Sequence, residues 1–162
     1  MAGPFFVREA APPDADQIAA THAAAWRETY TGLVPEQVLA EMAAAGPARW
    51  AADLAEPQGR STWIGVERES GGVVAVAVAE AMGPGHVRPL RLSVLYVLQR
   101  CHGRGLGRVL LERALGDAPA YLWVAEGNES AERFYRRNGF GLDGTRHVEE
   151  RWGGLADLRM VR

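Results

Sequence analysis

Leu92 to Leu115 reads LSVLYVLQRCHGRGLGRVLLERAL. Its first part, Leu92 with Val94 to Leu98, is β-branched and aromatic, and predicts a buried strand. Its last part, from Leu106, places Leu106, Val109, Leu110 and Ala114 at helical spacing along one face. Between them lies His102-Gly103-Arg104-Gly105-Leu106-Gly107, flanked by Arg108. A strand, a glycine-rich turn and a helix in this order leave main-chain N–H groups directed at one spot. The first N–H groups of a helix lack internal partners, and the helix dipole puts partial positive charge there. Glycines at 103, 105 and 107 remove the Cβ atoms that would hold phosphate oxygens away, so the turn reads as a pyrophosphate cradle.

The spacing excludes two common phosphate loops. A P-loop needs four residues between its glycines and then Gly-Lys-Ser/Thr, and this chain has no lysine. The dinucleotide fingerprint G-x-G-x-x-G fails because its third glycine position holds Arg108 or Leu110, counted from Gly103 or Gly105.

Composition bounds the rest. The 162 residues predict one domain spanning 1–162, with 48% hydrophobic and 23% charged residues as in ordinary soluble chains. A formal net charge of −2 argues against a partner bound through phosphate neutralisation, so no nucleic acid is expected. No apolar run reaches about 18 residues, and the first residues lack a basic region followed by an apolar core. Neither a membrane span nor a signal peptide is therefore expected. The single cysteine, Cys101, excludes an intrachain disulfide, fits a reducing cytoplasm and reads as a small space-filler.

Along the chain, Phe5–Arg8 predicts a strand, and Asp14 caps a helix running to Tyr30 with Ile18, Thr21, His22, Ala25, Trp26 and Thr29 on one stripe. A second helix is expected from Pro35 to Gly46-Pro47, and a short third one carrying Trp50 and Leu54. Ser61–Glu69 and Val73–Ala79 predict a hairpin through Ser70-Gly71-Gly72. Tyr121–Val124 predicts a strand, Glu129–Asn138 a helix closed by Gly139, and Phe140–Arg151 and Leu155–Val161 two further strands. The expected fold is α/β: a mixed, mostly antiparallel central sheet with helices on both faces and one parallel pair, joined by the crossover after the central strand.

A second segment carries information. Asn128 to Tyr135, NESAERFY, is followed by RRNGF. Asn128 suits an N-cap and Glu129 the positive end of the dipole, while Ala131, Phe134 and Tyr135 share a face. Taken alone this is an amphipathic helix with an aromatic pair. Together, however, Leu95-Tyr96-Val97, Gly105-Leu106-Gly107 and Asn-x-x-Ala-x-x-Phe-Tyr before Gly-Phe resemble the two motifs of the GCN5-related N-acetyltransferases, in the family's order. The likeness covers Val73 to Phe140. His102 stands where that family has Gln or Arg, and Gln99 where proline is common.

The resemblance implies a splayed parallel strand pair and direct transfer of the acetyl group of acetyl-CoA to a primary amine of a small molecule or protein. It implies donor contacts from Leu95, Tyr96 and Val97, from His102, Gly103, Arg104, Gly105, Leu106, Gly107 and Arg108, and from Asn128 and Tyr135. Tyr135 is the expected general acid, since a phenol of pKa about 10 can serve a thiol of pKa about 8.5. Where the family commonly carries a glutamate base, this chain has Arg91. Glu80, Glu126 and Glu28 stand as substitutes, with Trp26, Tyr30 and Glu28 toward the acceptor. A homodimer is compatible with the resemblance, and a non-catalytic acyl-CoA sensor is the alternative function.

Overall fold

The computed structural model describes residues 3–162. Its scaffold is a seven-stranded sheet: β1 (Phe5–Glu9), β2 (Arg60–Glu67), β3 (Val73–Ala81), β4 (Leu90–Val97), β5 (Ala120–Ala125), β6 (Gly141–Glu149) and β7 (Leu155–Val161), in spatial order β1-β2-β3-β4-β5-β7-β6. Every neighbouring pair is antiparallel except β4 and β5. Val73 to Ala79 is buried throughout because helices cover both faces of β3, and a strand covered twice needs no polar alternation.

On one face lie α1 (Ala15–Tyr30) and α2 (Glu36–Ala55), whose Ile18, Ala19 and Trp50 pack against Ile64, Val76 and Val78. The Thr21 hydroxyl donates to the Val73 carbonyl at 2.7 Å and pins α1 to the sheet. On the other face, α3 (Leu106–Leu115) buries Leu106 and Leu110 against Ala75 and Ala77, and Leu111 and Leu115 against Leu92 and Leu122. Beside it α4 (Glu129–Arg137) lays Ala131, Phe134 and Tyr135 on the same core.

Three local expectations are corrected. Pro35 to Leu54 does not divide at Gly46-Pro47: α2 is continuous, with Pro47 inside it. A Cβ on Gly46 would stand 3.4 Å from that of Ala19, so this stretch packs tightly on α1, and the burial of Leu39 and Trp50 outweighs an internal proline's cost of about 3 kcal/mol. Asp14 is the N-cap residue of α1, but its side chain makes no cap bond to that helix. It accepts instead from the Ala11 N–H at 2.8 Å and from both terminal nitrogens of Arg8 at 2.7 and 2.8 Å. Val109 is 40% exposed, and the buried stripe of α3 runs through Leu106, Leu110, Leu111 and Leu115.

The feature that positions the site is where β4 leaves β5. The pair is in register only at Leu90–Ala120 and Arg91–Tyr121, and beyond Arg91 the strands part into a wedge. A bulge helps: Val78 faces Val94 and Ala79 faces Leu92, leaving Ser93 as the extra residue. Among the described residues no helix is long and apolar enough to cross a membrane.

Candidate functional site

The glycine turn and the wedge adjoin. The Leu98 N–H donates to Val74 of β3, so by strand alternation Leu95 and Val97 turn their N–H and C=O groups away from β3 into the wedge. After a short 3-10 turn at Gln99–Cys101, Gly103 and Gly105 take positive φ of 73° and 79°, which L side chains resist, and α3 begins. Neither glycine has a protein atom within 4 Å of where a Cβ would sit. Gly107 differs: its φ is ordinary, and a Cβ there would lie 3.5 Å from the Phe134 ring, so it lets α4 approach α3. Among the described residues the N–H groups of Gly103 to Arg108 meet no protein acceptor, and no side chain caps α3. Free N–H groups at a helix start, together with the helix dipole, are an arrangement able to receive an anion.

Side chains around the turn divide by role. Leu106 is buried and offers the cradle only its main chain. Arg104 lies over the Phe5 ring at 5.8 Å, and Arg108 pairs with Glu112 at 2.8 Å in an exposed contact. The His102 Nε2 donates to the Val97 carbonyl at 2.7 Å, which fixes its tautomer and closes the turn back on the strand. Beyond the cradle a groove of about 440 Å³ runs between α3 and α4, lined among others by Arg108, Phe134, Arg137 and Asn138.

Tyr135 lies on α4, edge-on to Phe134 and Phe140 at centroid distances of 5.3 and 5.9 Å. Burial, and secondarily the Tyr30 phenol, push its pKa well above the ordinary phenol value. Among the described residues its hydroxyl has no hydrogen-bond partner, so it is free to donate. Asn128 caps α4, its Oδ1 accepting from the Ala131 N–H at 3.2 Å.

The carboxylates named from sequence are all engaged. Glu80 accepts from Arg60 at 2.7 Å. Glu126 is gripped by Arg146 at 2.8 Å, which holds it below the usual carboxylate range. Glu28 accepts from the Gln99 N–H at 2.8 Å and so anchors the start of the cradle turn. The acid that sequence reasoning missed is Asp157 on β7. It faces Ala125 of β5 on one side and His147 of β6 on the other, and burial pushes its pKa above the ordinary value. Its signal was available: an acid in the otherwise apolar start of a strand, Leu155-Ala156-Asp157-Leu158.

Across the wedge from Asp157 stands an aromatic group on the α1 face. Tyr30 and Tyr96 bring their hydroxyls to 3.3 Å, Trp26 packs on Tyr30 at 4.7 Å, and Trp152 meets Trp26 edge-on at 5.1 Å. Trp152, which no sequence pattern singled out, is delivered by the 3-10 turn at Glu150–Trp152. Trp26 is 8% exposed, and its indole N–H is buried without an acceptor. Burial raises the phenols of both Tyr30 and Tyr96, and the charge of Asp157 adds to each shift. Tyr135, Tyr96, Tyr30 and Asp157 thus lie within electrostatic reach of one another. Among the described residues no group of His, Cys, Asp or Glu is placed to hold a metal ion.

Comparison with known proteins agrees with this arrangement. A sequence model of the Acetyltransferase (GNAT) family matches residues 20–140. A Mycobacterium tuberculosis protein named a "probable N-acetyltransferase" is 32% identical over 146 residues, covering 85% of this chain and 80% of that one. An N-acetyltransferase of Mycobacterium bovis, named as uncharacterized, is 31% identical over 141 residues, covering 82% and 86%. In fold, the chain is similar to the PaiA N-acetyltransferase of Thermoplasma acidophilum, solved in complex with coenzyme A, at a TM-score of 0.74 with 15% identity over 98% of each chain. A GCN5-related N-acetyltransferase structure from Rhodopseudomonas palustris gives 0.71 with 24% identity, over 100% of this chain and 96% of that one.

Proposed function

The chain belongs to the acetyltransferase (GNAT) family, and on that footing we propose that it transfers the acetyl group of acetyl-CoA directly to a primary amine. The observation that carries this reading is the row of unpartnered N–H groups at Gly103 to Arg108 beside a strand edge left open by β5. The row takes the pyrophosphate, and the groove between α3 and α4, with Arg108 and Arg137, takes the rest of the nucleotide. The open edge at Leu95 pairs with the pantetheine amides, the Val97 carbonyl being held by His102. That pairing lays the thioester in the wedge, where the Val97 N–H donates to the carbonyl oxygen as negative charge grows on it.

Tyr135 is the proton source for the departing thiolate. Its raised pKa keeps the phenol protonated across the working pH range, and its hydroxyl has no competing partner. Tyr30 and Trp26 belong to the acceptor side, by way of the aromatic group around Tyr96. The acceptor is a small-molecule amine or a protein amino group, met in the cytoplasm. Calorimetric titration with CoA, followed by a thiol-release assay with acetyl-CoA and a panel of amines, tests the reading. Binding followed by amine-dependent thiol release is expected. CoA binding with no release on any amine would instead make the chain an acyl-CoA sensor.

A further inference from the structure

We propose that Asp157 holds the ammonium group of the incoming amine at the wide end of the β4–β5 wedge and takes its proton, so that the acceptor is a cationic primary amine approaching between Tyr30 and Tyr96. This rests on the acyl-transfer reading above.

Placement comes first. Ala125 ends β5 where β4 is no longer bonded to it, and Asp157 is the β7 residue opposite Ala125. Leu122, Val124 and Leu158 pack toward α3 and α4, so Asp157, in register with Ala125 and adjacent to Leu158, projects from the opposite face. That face carries Tyr96, packed with α1 residues Trp26 and Tyr30. The carboxylate therefore borders the same opening as the Val97 edge, from the side that the thioester does not enter.

The second observation is that, of the at least partly buried acids among the described residues, Asp157 alone is left over. Glu80, Glu126, Glu149 and Asp143 each have an arginine partner within 3.3 Å. The Asp157 carboxylate, half-buried, takes part in no ion pair or side-chain hydrogen bond among the described residues. The groups facing it are Arg91 and Tyr96 on β4, Tyr30 on α1, and His147 and Glu149 on β6. Burial raises its pKa, with Glu149 adding to that, and together they outweigh the attraction of His147 and, to a lesser degree, of Arg91. An unpaired, desolvated carboxylate is costly in a fold whose other partly buried acids all have arginine partners, and a bound ammonium removes that cost. Flanking phenol rings favour a cation at the same place.

The proton balance closes. A lysine-like amine, of pKa about 10.4, is almost wholly ammonium at neutral pH and cannot attack. Asp157 takes one proton, and the neutral nitrogen adds to the thioester carbonyl, forming the N–C bond. The C–S bond then breaks, Tyr135 protonates the thiolate, and the amide nitrogen returns a proton to Tyr135. Asp157 releases its proton to water, giving the N-substituted acetamide, free CoA and one proton.

The test is thiol release with two acceptors: an alkylamine, and trifluoroethylamine, whose weak basicity leaves it neutral at pH 7.5. In Asp157→Asn, turnover of the alkylamine should fall about 100-fold, the usual scale for a lost general base, whereas trifluoroethylamine should lose less than about 5-fold. Asp157→Glu, which keeps the carboxylate, should retain more alkylamine turnover than Asp157→Asn. For the wild type, the acid limb of kcat/KM should lie above the ordinary carboxylate range. Equal losses on both amines, unchanged alkylamine turnover, or no such acid limb overturn the assignment of Asp157 and leave the acyl-transfer reading standing. A wild type that does not bind CoA, or that binds it and acetylates no amine, overturns both.

Discussion

Gly105→Ala tests the cradle most directly, because the structure supplies its control. Gly105 has φ 79° and Gly71, in the β2–β3 turn, has φ 70°, and a Cβ on either would find no protein atom within 4 Å. Alanine in the left-handed region costs about 1–2 kcal/mol at both places, with no clash added. For a chain of this size that strain lowers Tm by about 2–8 °C in each variant. The two should part on the donor. Relaxation of residue 105 rotates its own N–H and that of Leu106 away from the shared direction, and the loss of one charge-assisted hydrogen bond is worth about 1.5–3 kcal/mol. The Kd for CoA, measured by calorimetry, should rise about 10- to 100-fold in Gly105→Ala and stay within twofold of wild type in Gly71→Ala. Equal CoA affinity in the two variants, at similar Tm, would refute the claim that these main-chain donors grip the diphosphate.

Three other outcomes follow from the contacts and burial described above. Tyr135→Phe should bind CoA as wild type does yet lose about 100-fold in kcat, and the alkaline limb of wild-type kcat should lie above pH 10, because burial holds the phenol protonated; stopped-flow thiol release across pH checks both. Burial, and then Arg49, lower the His22 pKa to about 4 against 6.5 in an unfolded chain, so the unfolded state binds the extra proton between those values. Stability should fall by about 3 kcal/mol as pH drops from 6.5 to 4, and urea melts of His22→Gln should lack that part of the decline. Removing the acid of the Arg8–Asp14 pair leaves the Ala11 N–H and both arginine bonds unmet, so Asp14→Ala should cost about 2 kcal/mol at pH 7. Arg8 lowers the Asp14 pKa, so this stabilisation is present above the unfolded carboxylate value and lost as pH falls through the folded one; chemical melts at pH 7 and pH 2.5 measure the difference.

What the sequence disclosed was whatever local pattern controls. The strand–turn–helix at Leu92–Leu115 and the capped helix after Asn128 depend on glycine φ, capping and short-range periodicity, and all of that is written within a few residues. Pro47 misled because local propensity argues for a break, whereas the contact that overrides it comes from Ala19 on another helix. Val109 misled because a stripe of period 3.6 can be drawn in more than one place, and the sheet beneath chooses. The carboxylates were beyond local reading altogether. Whether Glu126 is free depends on Arg146, 20 residues later and on another strand. Asp157 matters because no such arginine reaches it, and that is a property of β5, β6 and β7 together.

The sheet order carries a consequence for how the protein is made. β7 is translated after β6 but lies between β5 and β6. A ribosome that has delivered residues only as far as Gly154 has completed the diphosphate grip, yet β5 is still an open edge of the kind that recruits foreign strands. Insertion of Leu155–Val161 closes that edge and installs Asp157 in one event. A nascent chain therefore holds its donor-binding half before the group assigned to the amine arrives. A message truncated just upstream of Leu155 should yield aggregates rather than a weakly active enzyme.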